Sequence, residues 1–365
     1  MTINRIIFWQ PFASPHQEAL LEAVAEQFPG EVILAVEGEM PEERVAQGWR
    51  KPQHKLVHVR PVSCPELHAA LTQHSGPDSV HVFTGFFSHP LVWKAFRTLA
   101  PSQARLGIYS EAPEQPALTG WLKRLRGRWL AKRWAKRFTF VLAVGGVGRE
   151  FFERIGFPKE KIVSYGYYLP SQPRPQDTQL PPTDTIRLVS AGQLIPRKGA
   201  DLLIAACSSL PSSGWKLDIY GDGPERRRLE HLAARRGLAN RVRFQGVVAN
   251  SDLRAAIEAA DWAVLPSRFD GWGVLANEAL LSGTPVICSD ACGASVAVSH
   301  LAAGLVVTAG RQDALEAALR QAVNDDRPSA ERRATIRDRA ALELAPRQAA
   351  RRLLEAAIQT KQPHA

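Results

Sequence analysis

The stretch PSRFDGWGVLANEALLSGTP, Pro266–Pro285, joins a glycine-containing turn to the start of a helix. It follows the apolar segment Asp261–Leu265, which we predict to be a buried strand, and its turn contains Gly271 and Gly273. A helix that begins directly after such a turn presents free backbone N–H groups to an anion. Glycine lets a ligand approach the backbone without meeting a Cβ atom. The stretch therefore predicts an anion-binding site at the end of a strand.

Two carboxylates, Asp270 and Glu278, flank this turn with seven residues between them. A carboxylate only accepts hydrogen bonds, which suits the hydroxyls of a ribose or a sugar. The pattern resembles the acidic-x7-acidic signature of family 4 retaining glycosyltransferases, in which both acids are usually Glu. The resemblance implies that Asp270, shorter by one methylene, holds the donor sugar and that Glu278 binds the nucleotide ribose. It also implies a donor-binding backbone at Gly271, Gly273, Val274 and Leu275.

A second motif, GQLIPRKGADLL (Gly192–Leu203), follows another predicted strand and leads into a helix. Cations at a helix start oppose the helix dipole, so Arg197 and Lys198 favour a diphosphate ligand over a purely structural role. The resembled family usually has Arg after the first glycine of this motif, where this chain has Gln193. The resemblance implies that Gly192, Gln193 and Lys198 surround the donor phosphates. Our hypothesis is that Arg197 replaces part of the missing charge.

A third turn, YGDGPE (Tyr220–Glu225), follows a strand but lacks the third glycine of a dinucleotide-binding fingerprint. A Rossmann dehydrogenase is therefore a poor fit. The resemblance implies that Gly221 lies near the nucleotide base, and a plain tight turn is the alternative.

Three polar residues of the N-terminal half follow predicted strands: His16, His89 and Glu111. We expect His16 and His89 to lie on the acceptor side. Many of the resembled enzymes carry a catalytic His after the strand that here precedes Glu111, so we place Glu111 by topology as a residue that orients an acceptor hydroxyl. A structural role stays open for all three.

The chain has 365 residues, 45% of them hydrophobic, which is enough for two domains with their own cores. Strand-like and helix-like segments alternate, which is typical of an α/β fold with parallel sheets. The resemblance implies the GT-B fold, two Rossmann-like doubly wound parallel-sheet domains facing a central cleft. We expect an N-terminal acceptor-binding domain at 1–170, a Pro-rich linker at 171–185, a C-terminal nucleotide-sugar-binding domain at 186–340, and a terminal helix at 341–365 that crosses back to the N-terminal domain.

The predicted strands are short apolar segments bounded by turn residues. In the N-terminal half they are Arg5–Trp9, Glu31–Val36, Leu56–Val59, Ser79–Phe83, Arg105–Tyr109 and Phe138–Val144. In the C-terminal half they are Ile186–Ala191, Trp215–Tyr220, Arg241–Phe244, Asp261–Leu265, Pro285–Cys288 and Leu305–Val307.

The net charge of +10 is concentrated in Thr119–Phe138, and no acidic residue occurs between Glu114 and Glu150. Leu118, Leu122, Leu125 and Trp129 recur at helical spacing within this segment. A basic amphipathic segment with tryptophans favours an anionic membrane surface. The residues that we expect at the membrane are Lys123, Arg124, Trp129, Lys132 and Arg133. A solvated helix face is the alternative, and nucleic acid is not expected because no nucleic-acid-binding motif accompanies the segment.

The chain contains no apolar run of about 18 residues, and its N-terminus resembles a first strand more than a signal peptide. Four scattered cysteines favour a reducing compartment. We therefore expect a cytoplasmic protein, peripheral at the inner face of the cytoplasmic membrane. No metal-ligand cluster is visible, and the resembled family works without a bound metal, so we expect no metal and no cofactor.

The sequence as a whole predicts a retaining glycosyltransferase that moves a sugar from a nucleoside-diphosphate sugar to a saccharide or lipid-linked saccharide, in cell-surface polysaccharide biosynthesis. Three alternatives stay open. They are a soluble glycosyltransferase for a small metabolite, a non-catalytic nucleotide-sugar-binding protein, and an isomerase that shares the GT-B fold.

Overall fold

The structure is a computed structural model that describes residues 2–46, 49–84, 89–114, 120–170, 185–325 and 327–358. The chain divides into two compact units. The first comprises Met1–Val45, Trp49–Leu169 and Ala345–Ala365, and the second comprises Ala46–Gly48 and Pro170–Leu344. The predicted linker, 171–185, lies outside the described residues except for Thr185.

The first unit contains a seven-stranded parallel sheet in the order β3-β2-β1-β4-β5-β6-β7. Its strands are β1 (Arg5–Gln10), β2 (Glu31–Val36), β3 (His58–Pro61), β4 (Ser79–Phe83), β5 (Arg105–Glu111), β6 (Phe140–Val144) and β7 (Ile162–Tyr165). The helices between them are α1 (Pro15–Gln27), α2 (Glu42–Ala46), α3 (Pro65–Thr72), α4 (Pro90–Leu99), α5 (Gly120–Trp134) and α6 (Gly145–Ile155). The central strand β1 is buried on both faces, which explains its continuous apolar sequence.

The second unit contains a six-stranded parallel sheet in the order β10-β9-β8-β11-β12-β13. Its strands are β8 (Ile186–Ala191), β9 (Trp215–Tyr220), β10 (Val242–Gly246), β11 (Trp262–Leu265), β12 (Val286–Ser289) and β13 (Gly304–Val307). Its helices are α7 (Ala200–Cys207), α8 (Arg226–Arg235), α9 (Asn250–Ala259), α10 (Val274–Leu281), α11 (Ser295–His300), α12 (Gln312–Asn324) and α13 (Ala330–Glu343). A 3-10 turn, Pro196–Lys198, precedes α7.

Strand order reverses once in each sheet, next to the strand that comes first in sequence. The reversal lies between β1 and β4 in the first unit and between β8 and β11 in the second. Loops leaving the carboxyl ends of two such strands diverge and leave a crevice, where ligands of doubly wound folds bind. In the second unit the loops that follow β8 and β11 therefore border the expected ligand crevice.

The last helix, α14 (Pro346–Ile358), belongs to the first unit and packs against α1. The Gln27 side chain donates a hydrogen bond to the carbonyl of Arg347 at 3.1 Å. The hydroxyl of Tyr165 donates to the carbonyl of Ala349 at 2.7 Å. These contacts attach the C-terminal helix to the N-terminal sheet.

All the predicted strands are present, with ends within two residues of the predicted ones. The largest displacement is at the segment predicted as Leu56–Val59, because the strand is His58–Pro61. Strand β7, Ile162–Tyr165, was not predicted, since four residues at a sheet edge give too short a pattern to recognise. The α/β doubly wound fold class is confirmed.

Candidate functional site

A cavity in the second unit opens at the carboxyl ends of β8 and β11. It encloses about 440 Å³ of space, including its open mouth. One wall is the loop after β8, and the opposite wall is the loop after β11 together with the first turn of α10. The lining consists of residues 190–194, 265–267 and 273–275 with Lys198, Ala200, Ile219 and Asp270.

Two glycines allow close packing around the cavity. Gly199 has φ of +72°, and a Cβ atom there would collide with the carbonyl of Pro266 in the opposite loop. Gly273 has φ of +94°, and its Cβ atom would lie 2.5 Å from the sulfur of Cys292. Both positions need a left-handed backbone and a missing side chain at once, which only glycine supplies.

Helix α10 starts at the cavity wall. Gly273 is its N-cap, and the next two residues, Val274 and Leu275, line the cavity. The first N–H groups of a helix have no acceptor within the helix and carry partial positive charge. This end of the cavity is therefore suited to a phosphate.

One ion pair dominates the charge inside the cavity. The Lys198 ammonium nitrogen lies 2.5 Å from Oδ2 of Asp270, and the two side chains are only 24% and 12% exposed. Arg197 lies outside the lining: its Nη1 donates to the carbonyl of Phe269 at 2.8 Å and is 3.9 Å from Oδ1 of Asp270. The structure thus brings three predicted residues together but aims only Lys198 and Asp270 into the cavity.

Glu278 lies one turn further along α10 and outside the lining. Burial raises the pKa of Glu278 to about 7, and the positive charge of Arg254 opposes that shift. Gly221 and Gly271 also lie outside the lining; Gly221 donates its N–H to the carbonyl of Gly246 at 2.7 Å. The predicted Gly192 and Gln193 are in the wall itself.

Sequence reasoning missed several residues of this site. Ser190 and Ser267 line the cavity, and Arg268 ties its two loops together through Asp201. Ser267 and Arg268 stand inside the stretch that first indicated the site. Nothing local shows that Arg268 pairs with a residue 67 positions away.

The predicted acceptor-side residues lie in the first unit. Glu111 ends β5 and accepts a hydrogen bond from the hydroxyl of Tyr167 at 2.6 Å. The ring of His16 packs edge-on against that of Trp49, with 4.5 Å between the ring centroids, and stacks on the ring of Tyr167, with 6.0 Å between the centroids. Burial, together with the positive charge of Arg44, lowers the pKa of His16 to about 4, so its imidazole is neutral at pH 7.

His89 stands apart from this group, as the N-cap residue of α4, where its side chain makes no capping hydrogen bond. It is half-buried.

Helix α5 has two apolar faces. One packs into the first unit through Gly120, Gly127, Leu130 and Ala131, which are buried, and Gly127 lies against Ile155. The other carries four large apolar side chains that are 50% to 61% exposed, namely Trp121, Leu122, Leu125 and Trp129. At 100° per residue these four span an arc of about 100°. The predicted stripe therefore faces outward, while Leu118 lies outside the described residues.

Basic side chains surround this outward face. Lys123, Lys132 and Arg133 are exposed and Arg124 is half-buried. The guanidinium of Arg133 lies 4.0 Å from the ring of Trp134. Within the described ranges, none of the helices has the length and hydrophobicity of a bilayer-crossing segment. In those same ranges, no three His, Cys, Asp or Glu side chains are arranged to hold a metal ion.

Residues 172–342 match the family model for glycosyl transferases group 1. That region contains the whole cavity and both of its loops. The predicted resemblance to this family is therefore confirmed for the C-terminal half of the chain.

Two curated relatives show how far this likeness extends. A glycogen synthase of Mycobacterium tuberculosis is 28% identical over 264 residues, which is 71% of this chain and 63% of the relative. A lipopolysaccharide core biosynthesis glycosyltransferase, LpsD of Rhizobium meliloti, is 32% identical over 166 residues, 46% of this chain and 47% of the relative. The chain spans less than two thirds of the length of either relative.

Among solved structures, Anabaena HepE in complex with UDP superposes with a TM-score of 0.72 at 19% identity, covering 96% of this chain and 98% of HepE. A likeness at this identity establishes the fold and no more. The predicted GT-B fold class is confirmed.

Proposed function

We propose that this chain is a retaining glycosyltransferase that moves a sugar from a nucleoside-diphosphate sugar to a saccharide or lipid-linked saccharide. The observation that carries the proposal is the cavity at the strand-order reversal of the second unit. There a lysine, a carboxylate and a helix N-terminus surround a space open to a ligand. The group 1 family match over the same residues supports it.

The donor diphosphate is proposed to lie between Lys198 and the first turn of α10. Asp270 forms an ion pair with Lys198. An arriving diphosphate would compete with Asp270 for the ammonium group, and the released carboxylate would then be able to accept a hydrogen bond from a hydroxyl of the donor sugar. Glu278 is assigned to the ribose, in line with the family resemblance.

The transfer breaks the bond between the anomeric carbon and the leaving diphosphate oxygen and forms a bond to the acceptor hydroxyl oxygen. The hydroxyl proton passes to the leaving phosphate, so the products are a glycoside and a nucleoside diphosphate. Negative charge grows on the leaving oxygen in the transition state. Lys198 and the N–H groups at the start of α10 stabilise that charge without reorganising, which is the most effective form of electrostatic catalysis. On this proposal no metal is required.

A donor-turnover assay tests the proposed reaction. The purified protein is incubated with UDP-glucose, UDP-galactose, GDP-mannose and other nucleotide sugars, with vesicles that carry lipid-linked saccharides and separately with soluble sugars. We expect nucleoside diphosphate release with one donor, dependent on an acceptor, and a product anomer identical to that of the donor by NMR. Nucleotide binding without release from any donor would favour the non-catalytic alternative. An inverted anomer would contradict retention.

We further propose that the outward face of α5 holds the protein on an anionic membrane, at the inner face of the cytoplasmic membrane. Four exposed large apolar side chains on one arc are not expected of a helix face that only meets water. The surrounding lysines and arginines complement anionic head groups. Two tryptophans suit the boundary between head groups and acyl chains. A lipid-linked acceptor would be presented at the same surface.

Sedimentation with vesicles tests the membrane proposal. We expect binding to vesicles that contain phosphatidylglycerol, weaker binding in high salt, and little binding to phosphatidylcholine alone. Replacing Lys123, Arg124, Lys132 and Arg133 by Gln weakens binding by about 1 kcal/mol per residue. Trp121→Ala with Trp129→Ala weakens it as well, which a purely ionic contact would not show.

A set of four exposed basic residues in the second unit controls for net charge: Lys216, Arg227, Arg235 and Arg243. Equal losses from both sets would leave only a general charge effect and would contradict a role for α5.

A further inference from the structure

Arg268 connects three pieces of the second unit through its side chain. Its Nη1 donates to the carbonyl of Pro196 at 2.7 Å and to Oδ1 of Asp201 at 2.8 Å. Its Nη2 donates to Oδ2 of Asp201, also at 2.8 Å. Asp201 lies in the first turn of α7. The guanidinium thus ties the loop after β11 to both ends of the turn that presents Lys198.

The two loops are also joined by reciprocal bonds to the backbone. The N–H of Arg268 donates to the carbonyl of Arg197 at 2.8 Å, and the Arg197 guanidinium donates to the carbonyl of Phe269 at 2.8 Å. One arginine of each loop therefore donates a hydrogen bond to a main-chain carbonyl of the other loop. Close packing of Gly199 on Pro266 completes the junction.

These contacts fix the orientation of the two loops and add little to the stability of the fold. The side chains of Arg268 and Asp201 are 38% and 25% exposed, and a partly exposed ion pair contributes little to folding. A two-point contact between guanidinium and carboxylate nevertheless fixes orientation. Arg268 is absent from the cavity lining, so it acts on a ligand only through its neighbours.

We propose that Arg268 is a positioning residue, which fixes the turn Pro196–Lys198 so that the ammonium of Lys198 faces the donor diphosphate. The role rests on the proposed donor site. Lysine is a point charge on a flexible stem, so the place of its charge depends on how firmly its backbone is held. Displacement of a catalytic group by about 1 Å can cost about a hundredfold in rate. Arg268 and its partner Asp201 prevent that displacement.

The test measures affinity by calorimetry for a nucleoside diphosphate and for the nucleoside without phosphates. UDP and uridine are used first, followed by the guanosine, thymidine and adenosine pairs. The variants are Arg268→Ala, Arg268→Lys and Asp201→Asn. Arg311→Ala is the matched control, because Arg311 makes a similar two-point ion pair with Asp313 outside the cavity.

We expect Arg268→Ala to lower the affinity for the diphosphate about tenfold, because the Lys198 ammonium loses its charge-assisted contact with the phosphates. The affinity for the nucleoside should be unchanged. Asp201→Asn reproduces part of this loss. Arg268→Lys recovers little, because an ammonium cannot contact both carboxylate oxygens and the Pro196 carbonyl in one plane. In a Lys198→Ala background Arg268→Ala adds no further loss, since its effect passes through Lys198. Arg311→Ala binds both ligands normally.

Three results overturn the role: unchanged diphosphate affinity in Arg268→Ala, an equal loss for the nucleoside, or a loss that adds fully to that of Lys198→Ala. In each case the wild type still binds the diphosphate, and the proposed function stands. A wild type that binds none of the four diphosphates overturns the proposed function itself, and the positioning role with it. That outcome is visible before any variant is made.

Discussion

In the first unit the strand order reverses between β1 and β4, and in the second it reverses between β8 and β11. The second reversal holds an ion pair, a helix N-terminus and an open cavity. At the carboxyl end of β1, Gln10 donates a hydrogen bond to Gln17. His16 lies against aromatic rings, and burial together with the charge of Arg44 lowers its pKa to about 4. The same sheet plan thus places an ammonium group and a helix N-terminus at the reversal of the second unit, and a buried glutamine pair and a neutral histidine beyond β1 of the first.

The difference shows that the loops after the strands, and not the strands, set the chemistry of each unit. A sugar donor with a diphosphate needs cations, whereas a saccharide acceptor is recognised by neutral polar and aromatic groups. We therefore expect removal of a charge from the loops of the second unit to alter nucleotide binding, and removal of a charge from the first unit to leave nucleotide binding unchanged.

The largest effect is expected for Lys198→Ala. Removing the cation that faces the leaving phosphate should lower kcat by about 100- to 1,000-fold, as the loss of one electrostatic stabiliser does in other enzymes. The measurement is steady-state donor turnover. Lys216→Ala, an exposed lysine of β9 in the same unit, is the control and should keep wild-type activity. A kcat within twofold of wild type for Lys198→Ala would remove the lysine from the mechanism.

A second prediction concerns the response of each unit to acid. Burial lowers the pKa of both His16 and His81 to about 4, so the folded first unit keeps them neutral while the unfolded chain protonates them near pH 6.5. Their stabilising contribution is complete above pH 6.5 and is lost as the pH falls toward 4, by about 2 kcal/mol per histidine at pH 5.

Hydrogen exchange read by mass spectrometry resolves the two units and checks this. After correction for intrinsic rates, protection in β1, β4 and α1 should fall between pH 7 and pH 5, with a smaller change in β8 and β11. An equal loss in both units would contradict the assignment of the acid sensitivity to His16 and His81.

Asp270→Asn should separate binding from turnover. The variant keeps the shape of the side chain but removes the negative charge that now competes with a diphosphate for Lys198. We expect affinity for the nucleoside diphosphate to rise about threefold to tenfold, because a nearby like charge disfavours a bound anion. Transfer should fall at the same time, since an uncharged amide holds the sugar hydroxyl less well. A fall in nucleotide affinity would show that Asp270 does not oppose the phosphates.

A further prediction concerns the melting temperature of Glu278→Gln. The pKa of Glu278 is raised to about 7 by burial, so its ionisation lowers wild-type stability as the pH rises from 4.5 to 7, and the penalty is complete above pH 7. Glu278→Gln should therefore melt at a higher temperature than wild type at pH 8, with the difference shrinking toward pH 4.5. Melting curves at both pH values check the sign.

Sequence alone predicted the parts of this site that local chemistry determines. A buried strand, two glycines and a helix start are encoded within twenty residues, so Gly273, Val274 and Leu275 were placed correctly at the head of α10. The pairing of Lys198 with Asp270 was missed because the partners are 72 positions apart. The sequence predicted that each would contact the donor, and in the structure the two form an ion pair with each other.

The packing of helix α5 could not be predicted from the sequence either. Spacing of Leu122, Leu125 and Trp129 predicted a helix with an apolar stripe, and that helix is present. Sequence did not show which side of it packs, because the packed face combines Leu130 with small residues such as Gly127 and Ala131. The other face carries more large apolar side chains, yet it is the exposed one. Only the fold shows that the large side chains face outward.

A diphosphate site in this cavity is tested by thermal stabilisation of the full chain with UDP, GDP, TDP and ADP, without added metal. A ligand that binds only the folded protein raises the melting temperature with its concentration. We predict that one of the four nucleotides raises the melting temperature with its concentration, and that this shift is strongly reduced in Lys198→Ala and intact in Lys216→Ala. No shift with any nucleotide, or a shift that survives the loss of Lys198, would contradict a diphosphate site in this cavity.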